Sequence, residues 1–173
     1  MIILDAILKY LKKLRRSKVI EVIIAIQVAI LSIVVLAQVI FRYVLNHPLA
    51  WSEEMARFLL IWIVLLAAAV GVKRKSHFSV DILTKKFAER TNQLLSFALD
   101  IFLFILIFDV MVLNGMYLTK MTLRQISPAL NIRVAYVYSS VLVGGILSCC
   151  YILDDLLSFI QKEIEKKRKD DRK

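Results

Sequence analysis

Two glutamates and an arginine stand at the start of an apolar segment, in the stretch WSEEMAR of residues 51–57. Carboxylates beside a cation can bind protons or cations, or can form ion pairs. Ser52 is suited to cap a helix that begins here, and Glu53 and Glu54 complement the positive end of its dipole. Helix capping explains why acidic residues are tolerated at this position, but it requires neither two of them nor Arg57.

The other residues that could support chemistry do not form a reactive set. Cys149 and Cys150 are adjacent, and neighbours on a helix point in different directions, so neither a disulfide nor a metal pair is expected. His47 and His77 fall in predicted loops, whereas a membrane cytochrome needs histidines within its helices to hold haem iron. The sequence has neither a nucleophile–base arrangement nor a phosphate-binding glycine loop. We therefore expect no cofactor, no metal and no enzymatic activity.

The chain that positions these residues is heavily apolar. Of its 173 residues 60% are hydrophobic, and its mean hydropathy is +0.71, whereas soluble domains are about half apolar. Four runs approach the length of about 20 residues that crosses a bilayer. They are residues 19–44, 55–72, 94–117 and 134–157. The sequence thus predicts an all-α integral membrane protein, because a soluble bundle would have almost no chain left to cover four such helices.

The positions of the basic residues predict the orientation. Nineteen of the 24 lysines and arginines precede the first run, separate the second from the third, or follow the fourth. Basic residues concentrate on the cytoplasmic side of membrane proteins, so we expect both termini in the cytoplasm and two short loops outside. Asp154 and Asp155, near the inner end of the fourth run, are expected to pair with these basic segments. The net charge of +10 is then mostly a topology signal, and nucleic acid is not an expected partner.

Apolar residues at helical spacing predict two interfacial helices that lie on the lipid bilayer. They are Ile3, Ile7, Leu11 and Leu14 at the N-terminus, and Val80, Leu83 and Phe87 between the second and third runs. We assign residues 1–18 and 158–173 as cytoplasmic tails of a single membrane domain, 1–173, and expect the last residues to be a solvated, fraying tail. The first run is too long for a signal peptide, so it is expected to be retained.

Charged residues inside or beside a span need a partner or a watery cavity, because lipid does not solvate them. Two arrangements remain open for those predicted to lie towards the outer surface. In the first, a layer of charge links three helices. Its members are Arg42 and Arg57 on one side and Glu53, Glu54 and Asp109 on the other. In the second, the helix ends extend their charges to water and the glutamates pair locally with Arg57.

Small residues recur every four positions in two of the runs. They are Ser140, Gly144 and Ser148 in the fourth run, and Ala67 and Gly71 in the second. This spacing lets helices approach closely, within the chain or against a partner.

Four motifs follow one another along nearly the whole chain. They are Arg42-Tyr43 at the end of the first run, WSEEMAR (51–57) at the start of the second, the turn KRKSHFSVD (73–81) with His77 and Asp81, and SPALNI (127–132) with Pro128. In these motifs the sequence resembles the small membrane subunit of tripartite ATP-independent periplasmic (TRAP) transporters, the DctQ-like family. It departs from the family at 67–69, where a glycine often stands, and at Arg133, where a proline often follows the SPAL-type stretch. These departures affect local geometry.

The resemblance implies a subunit without chemistry of its own. In this family a soluble periplasmic protein captures an organic acid, and a large subunit of the bacterial inner membrane carries it inward with sodium. The small subunit holds the scaffold of the large one and can help to dock the binding protein. On this reading Trp51, Glu53, Glu54 and Arg57 brace the helix ends or contact a partner. The pattern of residues 37–57 is similar to that of sialic acid members, and C4-dicarboxylates are the other substrate class.

Two other functions remain open. A stand-alone multidrug-type transporter of four helices needs a membrane-embedded carboxylate in its first helix, where Glu21 stands only at the inner edge. Asp109, on the third helix, is the other candidate for that role. A structural subunit of another membrane complex would instead have a large integral partner of a different kind.

Overall fold

The computed structural model describes residues 11–13, 15, 17–74 and 89–170. Four helices in this part of the chain are long and apolar enough to cross a membrane, which confirms the predicted fold class. They are Val19–Tyr43, Ala50–Lys73, Leu95–Arg124 and Ala135–Gln161, called here the first to fourth spans. Most of the predicted N-terminal helix and nearly all of the predicted interfacial helix between the second and third spans lie outside the described residues.

The second span begins at Ala50, five residues before the predicted start of its apolar run. The first turn is polar, so hydropathy alone misses it, although acidic residues in a first turn stabilise a helix. Ser52 is therefore not the cap that the sequence suggested. Leu49 precedes the helix without a side-chain cap, and the Ser52 hydroxyl, fully buried, donates to the Leu49 carbonyl at 2.7 Å.

The third span is not a uniform α-helix. An α-helix over Glu89–Ile107 widens into a π-helix over Phe108–Leu113, and Asn114–Met121 is α-helical again before a short 3₁₀ turn. The helix continues beyond the predicted end at residue 117. Polar residues are tolerated there because the hydroxyls of Thr119 and Thr122 each donate to the carbonyl four residues earlier, at 2.8 Å.

The last helix runs from Ala135 to Asp170, well past the predicted end of the fourth span at residue 157. The last dozen residues, 162–173, were expected to be a fraying tail, and residues 162–170 are helical instead. Their sequence is rich in glutamate, lysine and arginine, all of which favour helix.

The spans pack in the order first, second, fourth, third. The second and fourth spans run in the same direction. Trp62 Nε1, midway along the second span, donates to the Tyr136 carbonyl at the start of the fourth, and Arg15 bridges Lys73 and Asp154 towards the other end of both. We call the end with Lys73 the basic end and the opposite end the loop end. The core lies between these two spans, where Ala69 and Tyr151 are almost completely buried.

Small residues make close packing possible on the fourth span. Ser140 and Ser148 are buried, and a methyl group added at Gly144 would lie 3.1 Å from the Leu65 carbonyl oxygen of the second span. Neighbouring Gly145 faces the third span instead. On the second span Ala67 is exposed and Gly71 is half-buried, so the packing role of these two residues, within the chain or against a partner, stays a prediction.

Candidate functional site

The loop end is organised by a hairpin of residues 125–134 between the third and fourth spans. The Ser127 N–H donates to the Ile132 carbonyl at 2.8 Å, and an isolated antiparallel bridge joins Ile126 to Arg133. Asn131 takes the left-handed conformation, with φ of 55°, which asparagine adopts more readily than most residues. Pro128 is exposed in the turn. The SPALNI motif therefore encodes a tight turn.

Glu54 joins this hairpin to the second span. One oxygen of its carboxylate, Oε2, accepts hydrogen bonds from the backbone N–H groups of Ala129 and Leu130, both at 3.0 Å. Charge-assisted hydrogen bonds of this kind are stronger than neutral ones. Because Glu54 lies in WSEEMAR and the two donors lie in SPALNI, two motifs more than 70 residues apart in sequence meet here.

The other charges at the loop end remain local. Arg57 donates to the Glu53 carboxylate at 3.1 Å within one helical turn, and both side chains are more than 60% exposed. Exposed pairs of this type contribute little stability. The Arg42 guanidinium lies 5.6 Å from the ring centroid of Tyr43, which is itself exposed.

The structure does not join these charges into the layer across three helices that was one of the two predicted arrangements. Among the described residues, Arg42 and Asp109 form no ion pair. Asp109 does not lie at the loop end but at the midpoint of the third span, fourteen residues after Leu95 and fifteen before Arg124. The local pairing of Glu53 with Arg57 is the arrangement observed.

Arg15 is the centre of a second polar cluster at the basic end. Its guanidinium donates to the carboxylates of Asp154 (3.1 Å) and Asp155, and also to the Lys73 carbonyl at 2.9 Å. Burial lowers the pKa of Arg15, but the hydrogen bonds and charges of Asp155 and Asp154 outweigh it, so the pKa is raised overall. These contacts confirm the predicted pairing of the two aspartates with a basic segment.

Glu21 extends the cluster to the first span. Its carboxylate accepts from Lys73 Nζ at 3.0 Å and pairs with Arg74 at 3.1 Å. Lys73 Nζ also donates to the Ser17 carbonyl at 2.8 Å. The cluster, called here the basic-end network, thus connects the segment before the first span with the first, second and fourth spans. The sequence placed Glu21 at an inner helix edge but did not identify its partners.

The remaining candidates are the two cysteines of the fourth span and the histidine and aspartate of the basic motif. Cys149 and Cys150 are both free, with Cys149 buried. Among the described residues, no cluster of histidine, cysteine, aspartate or glutamate could hold a metal ion. His77 and Asp81 of the basic motif lie outside the described residues. The polar contacts that the structure does show join the ends of the helices, at the loop end and at the basic end.

Comparison with known proteins gives a match over most of the chain. Residues 31–162 match the family model described as the DctQ component of tripartite ATP-independent periplasmic transporters. The chain is 28% identical to the sialic acid TRAP transporter small permease protein SiaQ of Vibrio cholerae, over 87% of this chain and 88% of that protein. It is 34% identical to the C4-dicarboxylate TRAP transporter small permease protein DctQ of the same species, over 55% and 40%.

A third relative is a longer protein. The isethionate TRAP transporter permease protein DctMQ of Oleidesulfovibrio alaskensis is 32% identical over 69% of this chain, and the match occupies 20% of its length. In that relative, a segment similar to this chain is part of a larger permease polypeptide.

Proposed function

The chain belongs to the family of DctQ components of tripartite ATP-independent periplasmic transporters, and on that premise we propose that it is a scaffold for a large permease subunit. Members of this family are transporter permease subunits and not enzymes. The observation that carries the proposal is the Glu54 contact, by which WSEEMAR and SPALNI meet at the loop end. A carboxylate that accepts hydrogen bonds from two backbone N–H groups fixes the position of the hairpin against the helix.

The large permease subunit is the proposed principal partner, in a heterodimer. DctMQ supports this, because a segment similar to this chain occupies only a fifth of that permease protein. The apolar surface of the chain is also consistent with a partner. Of the eighteen most apolar consecutive residues of the first span only 6% are buried, against 44% in the fourth span. Lipid and a second subunit together would cover the remainder.

A periplasmic substrate-binding protein is the proposed second partner, at the loop end. We define the loop-end surface as Arg42, Trp51, Glu53, Arg57 and the hairpin of residues 125–134. Glu54 holds the hairpin against the second span, so the hairpin keeps a fixed position relative to the start of that span, where Trp51, Glu53 and Arg57 lie. Preorganisation of this kind lowers the entropic cost of docking. This proposal requires the loop end to face the periplasm, as the basic residues predict.

The proposed substrate is an organic acid of the sialic acid or C4-dicarboxylate class, driven by sodium across the bacterial inner membrane. The SiaQ relative, matched along most of both chains, favours a sialic acid. The chain need not bind the substrate itself.

The proposal is tested by reconstitution. The chain and its large subunit are purified together in mild detergent, inserted into liposomes, and supplied with the soluble binding protein and a labelled sialic acid or C4-dicarboxylate. Uptake that requires both subunits and an inward sodium gradient supports the proposal. A chain that is recovered alone, or that transports without a large subunit, contradicts it.

The loop-end surface is tested in the same assay with Glu53→Ala combined with Glu54→Ala. We expect weaker docking of the binding protein or a less stable complex, because the hairpin loses its acceptor and Arg57 its partner. The single variant Glu53→Ala is the matched control, since it leaves the hairpin contact in place. Unchanged uptake and assembly of the double variant would remove this surface from the proposed function.

A further inference from the structure

Asp109 lies in the middle of a membrane span, and its side chain has no partner among the described residues. At about 1.5 Å of rise per residue, its position is about 21 Å from either end of the third span. Its side chain is exposed and makes no ion pair or side-chain hydrogen bond within the part of the chain that the structure describes. A carboxylate at such a depth is costly in lipid, so its presence there points to a group that covers it.

The π-helix gives this residue a defined setting. Both the backbone N–H and the side-chain Nδ2 of Asn114 donate to the Asp109 carbonyl, the latter at 2.9 Å. The second donor stabilises the wide turn, a type of turn that is frequent at functional sites. Asn114 is also exposed, so the middle of the span carries two exposed polar residues one π-turn apart.

The exposed surface around these two residues is otherwise apolar and is not used for packing by the part of the chain that the structure describes. Phe102 and Ile105, on the preceding turns, are 61% and 62% exposed. The third span contacts the fourth with a different set of residues, since Met111 lies against Gly145 and Gly115 lies against Leu142. We call this exposed surface the Asp109 face; it comprises Phe102, Ile105, Asp109, Leu113 and Asn114.

We infer that the Asp109 face is the seam against a membrane helix of the large permease subunit, and that this helix presents a hydrogen-bond donor to the Asp109 carboxylate at the middle of the bilayer. The inference rests on the proposed function, which supplies the partner. A second copy of this chain fits the face less well, because a two-fold contact through it would bring two Asp109 carboxylates together. A donor on a different protein removes that repulsion.

Site-specific photo-crosslinking of the wild-type complex locates the seam. A photoreactive phenylalanine analogue replaces Ile105 on the Asp109 face or, as a control of equal exposure, Ile33 on the first span, which is 66% exposed. We expect the probe at 105 to crosslink to the large subunit with much higher yield than the probe at 33. Crosslinks to a second copy of this chain, or to the large subunit from position 33 alone, would overturn the inference while leaving the proposed function intact.

Substitution of Asp109 tests the donor. Asp109→Leu suits lipid but has no acceptor, and it should weaken association with the large subunit about threefold to tenfold, as the loss of one interhelical hydrogen bond does. Asp109→Asn keeps an acceptor oxygen and should lose less. Val110→Leu, at an exposed neighbouring position, is the control for added bulk.

The isolated chain separates this effect from misfolding. Without a partner, Asp109→Leu should leave the melting temperature of the chain in detergent unchanged or higher, because it removes an unpartnered carboxylate. Equal association of the Leu variant and the wild type would overturn the inference. If the wild-type chain recovers no large subunit at all, the proposed function is wrong, and the inferred seam at the Asp109 face is wrong with it.

Discussion

At the scale of single residues, the two adjacent glutamates of WSEEMAR have different roles. Glu53 pairs with Arg57 on the surface of its own helix, whereas Glu54 accepts two N–H groups from a hairpin 75 residues away in sequence. The sequence shows that acids are suited to a helix start. The donors to Glu54, however, are backbone N–H groups, which almost every residue has, so the sequence does not mark them. The partner of Glu54 could therefore not be predicted.

Removal of the Glu54 carboxylate should loosen the hairpin. In Glu54→Ala we expect the amides of Ala129 and Leu130 to exchange hydrogen faster, because Ala129 loses its acceptor and Leu130 keeps only the longer contact to Ser127 Oγ, at 3.4 Å. Glu54→Gln keeps one acceptor oxygen and should show a smaller effect. Hydrogen–deuterium exchange with mass spectrometry measures both, and Glu53→Ala should leave these amides unchanged. Equal exchange in all three variants would contradict the contact.

Trp62 provides a second residue-level test. Its Nε1–H donates to the Tyr136 carbonyl at 3.2 Å and so ties the second span to the start of the last helix. Trp62→Phe removes the donor and keeps an aromatic ring, so we expect a loss of about 1 kcal/mol in the free energy of unfolding. Unfolding in mixed micelles measures it. Trp51→Phe, at an exposed position near the loop end, should change it less.

At the scale of helices, apolar run length predicted the existence of all four spans, and their boundaries were less accurate. The second span begins earlier because its first turn is polar, and the last helix continues through charged residues that favour helix without being apolar. The π-helix at Phe108–Leu113 was not predicted. It depends on the fit of Met111 against Gly145 and on the Asn114 side chain, neither of which hydropathy reports.

Gly145 should be the most sensitive glycine in the interface between the third and fourth spans. A methyl group added there would lie 2.7 Å from the Met111 Cβ, which is closer than real contacts allow. We expect Gly145→Ala to lower the free energy of unfolding by about 1–3 kcal/mol, the usual cost of overpacking. Ile146→Val, at an exposed neighbour, should have a small effect. Wild-type stability of the alanine variant would show that the helices are not this close.

At the scale of the whole molecule, the basic-end network connects segments from both ends of the chain. The sequence predicted that Asp154 and Asp155 would meet basic residues, since they share an end of the bundle with three basic segments. It could not identify Arg15 among them, because the positions of charges along the sequence predict the end of the bundle at which a residue lies but not where its side chain points.

The network is expected to be cooperative. Arg15→Ala leaves the Asp154 side chain, 5% exposed, without its cation, and should cost about 3 kcal/mol of unfolding free energy. Asp154→Ala should then cost less in the Arg15→Ala background than alone, with a coupling of about 1–3 kcal/mol. A double-mutant cycle measured by unfolding in mixed micelles gives this value. Additive effects would mean that the two residues do not interact.

The orientation of the chain is tested by cysteine labelling. In a Cys149→Ala, Cys150→Ala background, Pro128→Cys at the loop end should react with a membrane-impermeant maleimide in spheroplasts. Lys18→Cys, at the basic end, should react only in inside-out vesicles. The reverse pattern would place the loop end in the cytoplasm and exclude docking of a periplasmic protein there.

The Arg15–Asp154 contact also bears on biosynthesis, because it joins residues 139 positions apart. While the ribosome is still producing the third span, Arg15 has neither of its carboxylates. Among the described residues, the segment before the first span is then tied to the second span through Lys73, whose carbonyl accepts from Arg15 and whose Nζ donates to the Ser17 carbonyl. The network closes when the fourth span has been synthesised and inserted. An interrupted chain therefore has at its basic end an arginine without the two carboxylates that neutralise it in the folded protein.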